Sequence, residues 1–139
     1  RERRVYTNLS MLDVPISPLR LTTYENYRIF ESFMNLCIEC GNNEALYRTC
    51  VKNYFRNRNT VEALEMLDKA SKGGHTAARY ALGLISIFLG GESRRDGIQT
   101  IGEMKITQQQ RKITRQCRQR LRQILGTICI FNRDVIITI

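Results

Sequence analysis

His75 is the chain's one histidine, and it directly follows Gly73-Gly74. An imidazole can carry a proton or bind a metal, but a catalytic triad or a metal cluster needs partners that the surrounding sequence does not supply. Its position after paired glycines suits a turn-and-cap role, with an exposed contact or a proton carrier as the alternative. Cys37 and Cys40 form a Cys-x-x-Cys, the spacing at which two thiolates can share a tetrahedral ion or close a small disulfide ring. A second such pair is absent, and Cys37 falls on the inner face of a helical pattern, so ordinary buried or edge thiols are expected. The acidic residues stand mostly alone or near helix starts, without the close pair that acid-base work needs, and no glycine-rich run follows a strand to cradle phosphate. The expectation is a non-enzyme with no catalytic residue, no cofactor and no metal.

The strongest concentration of charge lies elsewhere. Arg111, Lys112, Arg115, Arg118, Arg120 and Arg122 surround an apolar stripe of Ile113, Cys117, Leu121, Ile124 and Ile128, so one face can dock while the others stay cationic. Residues 1 to 104 hold 14 Lys/Arg against 12 Asp/Glu, whereas residues 105 to 139 hold 8 against 1, which places most of the formal charge of +9 in the C-terminal quarter. Three readings stay open: a solvated cap that seals a helical stack, a surface for an acidic protein, or a patch for nucleic acid phosphate. Tyr and Phe are not interleaved with these arginines, which weakens base stacking, and no Trp or Phe anchors the stripe to a membrane.

The elements that must position these residues repeat. Residues 44–55 realign on residues 77–88, so that Ala45 falls on Ala78, Tyr47 on Tyr80, Val51 on Leu84 and Phe55 on Phe88, with Gly41 on Gly74 upstream. A period near 34 marks a helix-turn-helix solenoid, whose units bury their apolar faces only by stacking. Helices are predicted over 22–40, 43–57, 60–72, 76–89, 94–103 and 107–128. They are opened by Thr22 with Glu25, Asn42, Asn59 with Glu62, Ser93 with Asp96 and Thr107 with Gln110, and closed by Gly41, Gly73-Gly74 and Gly90-Gly91. The 76–89 helix is apolar all round, which places it mid-stack, and Gly83 inside it, with Ala78 and Ala81, lets a neighbouring backbone come close.

With 139 residues and 42% hydrophobic content, one domain with a real core is expected. No apolar run of about 18 residues is present, and the chain starts at Arg1 without a leader, so a soluble piece of a longer protein is expected. Five cysteines, including Cys50, Cys117 and Cys129, are an odd count that fits a reducing cytoplasmic or nuclear setting. Residues 1–21, with Pro15 and Pro18, are expected as an extended lead-in, 22–104 as the repeat region, and 105–139 as a basic capping helix with an apolar tail at 135–139. The fold class is therefore all-α, a short right-handed α-solenoid of antiparallel helix-turn-helix repeats. Aromatic and cationic side chains on first-helix faces make Tyr47, Lys52, Tyr54, Arg56, Arg79 and Tyr80 candidate contacts for a protein partner, with packing between repeats as the alternative for Tyr47 and Tyr80.

Ala45-Leu46-Tyr47, residues 63–78 and Leu82-Gly83 resemble the Sel-one-like relatives of the tetratricopeptide repeat, in which an Ala-Leu-rich second helix ending in Ala-x-x-Gly-His precedes a helix bearing Leu-Gly. The wider pattern of Arg4-Val5-Tyr6, residues 36–46, Leu89-Gly90-Gly91-Glu92 and Cys117-Arg118-Gln119-Arg120-Leu121 is similar to a group of plant F-box proteins. That resemblance implies a substrate receptor of a Skp-cullin-F-box ubiquitin ligase, whose F-box engages the ligase adaptor and whose helical region holds a protein target. No F-box stands before Arg1 here, so the adaptor is expected to be engaged only through an upstream segment.

Overall fold

The computed structural model describes residues 2–10, 14 and 24–128, and every regular element among them is an α-helix. In chain order these are α1 (Glu2–Asn8), α2 (Tyr24–Glu39), α3 (Asn43–Phe55), α4 (Thr60–Lys72), α5 (Thr76–Leu89), α6 (Gly91–Glu103) and α7 (Gln108–Leu125). The hairpins α3–α4 and α5–α6 pack internally, and α4 lies against α5, so the two matched units stack as a short α-solenoid. The small α1 docks on α2, and α2 docks on α3.

The repeat is visible in its turns. Gly41 and Gly74 adopt φ of +82° and +95°, where a side chain would be strained, and each is followed by the residue that caps the next helix. Asn42 Oδ1 accepts from the Ala45 amide at 3.0 Å, and His75 Nδ1 accepts from the Ala78 amide at 3.0 Å. Glycine, cap and capped alanine thus recur in the same register, and the cap role expected of His75 is the one it has. Thr107 opens α7 with a full capping box, its hydroxyl taking the Gln110 amide at 3.1 Å while Gln110 Oε1 takes the Thr107 amide at 3.0 Å.

Three local expectations are corrected. The lead-in over 1–21 is not extended throughout, because Glu2–Asn8 is helical. Nothing before Pro15 forbids a helix there. Tyr6 packs edge-on to Phe33 with ring centroids 6.5 Å apart, and the Thr7 hydroxyl donates to the carbonyl of Cys40. α6 begins at Gly91 rather than after a Ser93 cap, since Gly90, at φ +78°, both ends α5 and starts α6. Asn59 precedes α4 in a left-handed conformation, φ +47°, and its side chain makes no capping bond. The Thr22 cap, Pro15, Pro18, Cys129 and the 135–139 tail lie outside the described residues.

Tyr47, Val51, Leu67, Ile85, Leu121, Ile124 and Leu125 are the large side chains most completely removed from water, and they belong to one continuous core. Full burial of a Leu, Ile or Val stabilises by roughly 1.5–3 kcal/mol relative to exposure. A second cluster of Met34, Cys37 and Ala45 joins α2 to α3, with Tyr6, Leu9, Phe30 and Phe33 packed against it. As its all-round apolarity foretold, α5 sits in the middle, touching α4, α6, α7 and α3. Its Gly83 faces Gly97 of α6: a Cβ on Gly83 would lie 2.9 Å from Ile101 Cδ1, and one on Gly97 would lie 2.9 Å from the Ile87 amide nitrogen.

Candidate functional site

α7 decides which surface the stack offers. Its apolar stripe is buried, with Cys117 6%, Leu121 0% and Ile124 1% exposed, and it lies across α5 and α3, the first helices of the two repeats. Thr114 fixes its start, donating its hydroxyl to the carbonyls of Met104 at 2.8 Å and Gln110 at 2.9 Å. Tyr47 and Tyr80, both candidate contacts, are therefore core residues, exposed by 0% and 5%. Both pack within the core that α3, α5 and α7 share. Burial pushes the phenols of both above their ordinary value. For Tyr80 the nearby charges of Arg118 and Arg122 pull the other way and are overcome.

The end of α7 is pinned by a partly buried ionic cluster. Glu44 on α3 accepts from Arg48 Nε at 3.1 Å, from His75 Nε2 and from Arg120 of α7. Because His75 Nδ1 is occupied as a cap acceptor, Nε2 carries the proton it donates to Glu44. The side chain of Glu44 is 14% exposed and that of Arg48 3%. Burial alone would raise the Glu44 pKa, but the His75 hydrogen bond and the charges of Arg120 and Arg48 outweigh it and hold the carboxyl below its usual range. Arg48 also donates to the Val14 carbonyl at 2.9 Å, and the His75 ring lies 4.9 Å from that of Tyr47. Sequence reasoning missed this cluster, although the four-residue spacing of Glu44 and Arg48 was a local signal for part of it.

The remaining expected contacts separate into groups. Lys52, Tyr54 and Arg56 are half-buried at the C-terminal end of α3, where burial, then Arg56 and Arg48, lowers the Lys52 pKa. Tyr54 stands edge-on to Phe55 at 5.2 Å. Arg79 is exposed and paired with Glu103 at 2.8 Å. Of the basic residues on α7, Arg120 turns inward to Glu44, and Lys112 is exposed. Arg111, Arg115 and Arg118 converge with Lys105, Gln108, Thr114 and Tyr80 on a groove of about 440 Å³ between α7 and α5.

Cys37, Cys40 and Cys50 are not in the lining of that groove. Cys37 is fully buried and Cys40 half-exposed at the end of α2, and burial, then Cys40, raises the Cys37 pKa. Burial, then Glu62, pushes the Cys50 thiol up to about 11. Thiols so placed remain protonated and react poorly. Among the described residues no three His, Cys, Asp or Glu side chains lie together as a metal site, and no helix is long and apolar enough to cross a membrane.

Residues 17–126 match the family described as plant tetratrico peptide repeats. The chain belongs to that family. An Arabidopsis thaliana protein named as an F-box protein is 31% identical to this tetratrico peptide repeat chain over 103 residues, covering 74% of the chain and 32% of that protein. The chain thus spans about a third of that relative's length. No solved structure matches it. Stacked helical repeats of this kind serve protein-protein interaction, which is the coarse function of this tetratrico peptide repeat chain.

Proposed function

We propose that this chain is the target-holding region of an F-box substrate receptor, part of a Skp-cullin-F-box ubiquitin ligase of the cytoplasm or nucleus, and has no catalytic role of its own. The observation that carries the reading is the similarity to an F-box protein over 74% of the chain, joined to a repeat family whose stacks bind proteins. An F-box belongs to another segment of such a receptor, so the helical stack contributes the grip on the target and leaves the adaptor contact to that segment.

The test uses the full product of the transcript that encodes this region, expressed in plant cells with the proteasome inhibited. The Skp-type adaptor should co-purify with the wild-type protein and equally with a variant whose stack is broken by Gly97→Leu, while ubiquitin-modified proteins should accumulate on the wild type alone. Failure of the adaptor to co-purify with either form would end the ligase reading and leave a protein-binding stack.

A further inference from the structure

The groove between α5 and α7 has features that the protein-binding reading alone does not explain. Arg111, Arg115 and Arg118 follow one another at intervals of four and three residues, so they share a face of α7, and Lys105 adds a fourth cation from the turn before it. Among the described residues no carboxylate lies within ion-pair distance of any of the four, although Arg79, Arg120 and Arg48 each have one. Arg111 is braced by donating its Nε–H to the backbone carbonyl of Lys105 at 2.9 Å. Like charges kept this close without internal neutralisation form a focus of positive potential.

We propose that this groove receives an extended, carboxylate-rich peptide segment of the partner protein, whose acidic side chains pair with Arg111, Arg115 and Arg118. The proposal rests on the protein-binding reading and names the chemistry of what is bound. The guanidinium-bearing positions rise along α7 by about 6 Å from 111 to 115 and about 4.5 Å from 115 to 118. Alternate side chains on one face of an extended peptide are about 6.6 Å apart, so acidic residues at every second position can each reach an arginine. Arg recognises carboxylate with a planar fork of two hydrogen bonds, and a groove of about 440 Å³ is large enough to shield them partly from water. A nucleic acid strand fits less well. Tyr80 is the one aromatic residue in the lining, and at 5% exposure it presents no ring face on which a base could stack.

Fluorescence anisotropy on the intact chain at physiological salt decides the matter with three labelled probes: a short peptide alternating Glu and Ser, the same peptide with Gln for Glu, and a short single-stranded oligonucleotide. The Glu peptide should bind at least about tenfold more tightly than the Gln peptide and more tightly than the oligonucleotide. Arg115→Glu with Arg118→Glu, both at exposed positions and checked by thermal melting, should weaken it at least about tenfold. Arg94→Glu with Arg95→Glu, on the exposed face of α6, should change it by less than about twofold. Equal binding of the Gln peptide, equal loss in the α6 variant, tighter binding of the oligonucleotide, or no binding of the Glu peptide would each overturn the proposal. If adaptor and modified targets still co-purify with the full-length protein in such a case, only the groove assignment is lost.

Discussion

The two matched hairpins share a fold and are held by different forces. α5–α6 closes through backbone proximity, with Gly83 and Gly97 face to face and Ile87 and Ile101 filling the space beside them. In α3–α4 the first helix instead carries Glu44 and Arg48, tied to His75 at the next turn and to Arg120 of α7. The second unit is therefore closed by shape, whereas the first adds to its apolar core a charge cluster that ties it to its neighbours. Added volume should break one, and acid or loss of a carboxylate should loosen the other.

The largest expected effect is on the shape-dependent unit. Gly97→Leu puts side-chain carbon where the backbone of α5 passes, so the helices must part, at a cost of about 3 kcal/mol or more in a denaturant melt. Gly83→Ala meets only the flexible end of Ile101 and gains helix propensity, so it should stay within about 1 kcal/mol of the parent. Similar losses at both glycines would contradict the asymmetry between two backbones in contact and one movable side chain.

Next comes the charged unit. Glu44→Gln removes the carboxylate that Arg48, His75 and Arg120 share and should destabilise on the order of 2–3 kcal/mol near neutral pH. The folded-state pKa of Glu44 is lowered, so its contribution is complete above about 4.5 and is lost as pH falls through the lower folded value. Stability of the parent should therefore fall more steeply than that of the variant below pH 4.5, measured as melting temperature against pH. Parallel curves would mean that the cluster adds nothing to folding.

The caps sharpen the contrast on a smaller scale. Asn42→Ala removes the bond to Ala45 and the bonds from Nδ2 to the carbonyls of Tyr6 at 3.0 Å and Leu9 at 3.1 Å, and should cost about 1–2 kcal/mol. Asn59→Ala removes no capping bond, so only the left-handed backbone of Asn59 resists it, and its cost should be smaller, about 1 kcal/mol or less. The reverse order in a chemical melt would refute the distinction between turns that join units and turns inside them. Smallest is Tyr47→Phe, which deletes a buried hydroxyl that has no hydrogen-bond partner among the described residues. It should leave stability equal or raise it by up to about 1 kcal/mol.

Local features were legible in the sequence because local physics sets them. Periodic apolar residues placed α2 to α5 and α7 to within a few positions, and Asn42, His75 and Thr107 were readable as caps from the turn residues or capping-box partner beside them. The apolar stripe of α7 was also plain, but a stripe says which face docks and not which helices it meets. That α7 crosses both α3 and α5 depends on contacts far apart in the chain, such as Arg120 with Glu44, 76 residues away. For the same reason Tyr47 and Tyr80 could be read as surface or core until the position of α7 was known. The tight contact of Gly97 with Gly83 was not legible in the sequence, because it arises from the pairing of two helices.

The seating of α7 over the first helices is what buries Tyr47 and Tyr80 and leaves Arg111, Arg115 and Arg118 exposed, and amide hydrogen exchange across Gln108–Leu125 tests it most directly. Its central amides should exchange as slowly as those of Thr76–Leu89, opening with the same free energy, because both helices belong to one core. Exchange at unfolded-chain rates across α7, with α3 and α5 still protected, would show the tyrosine face open to solvent and contradict the account.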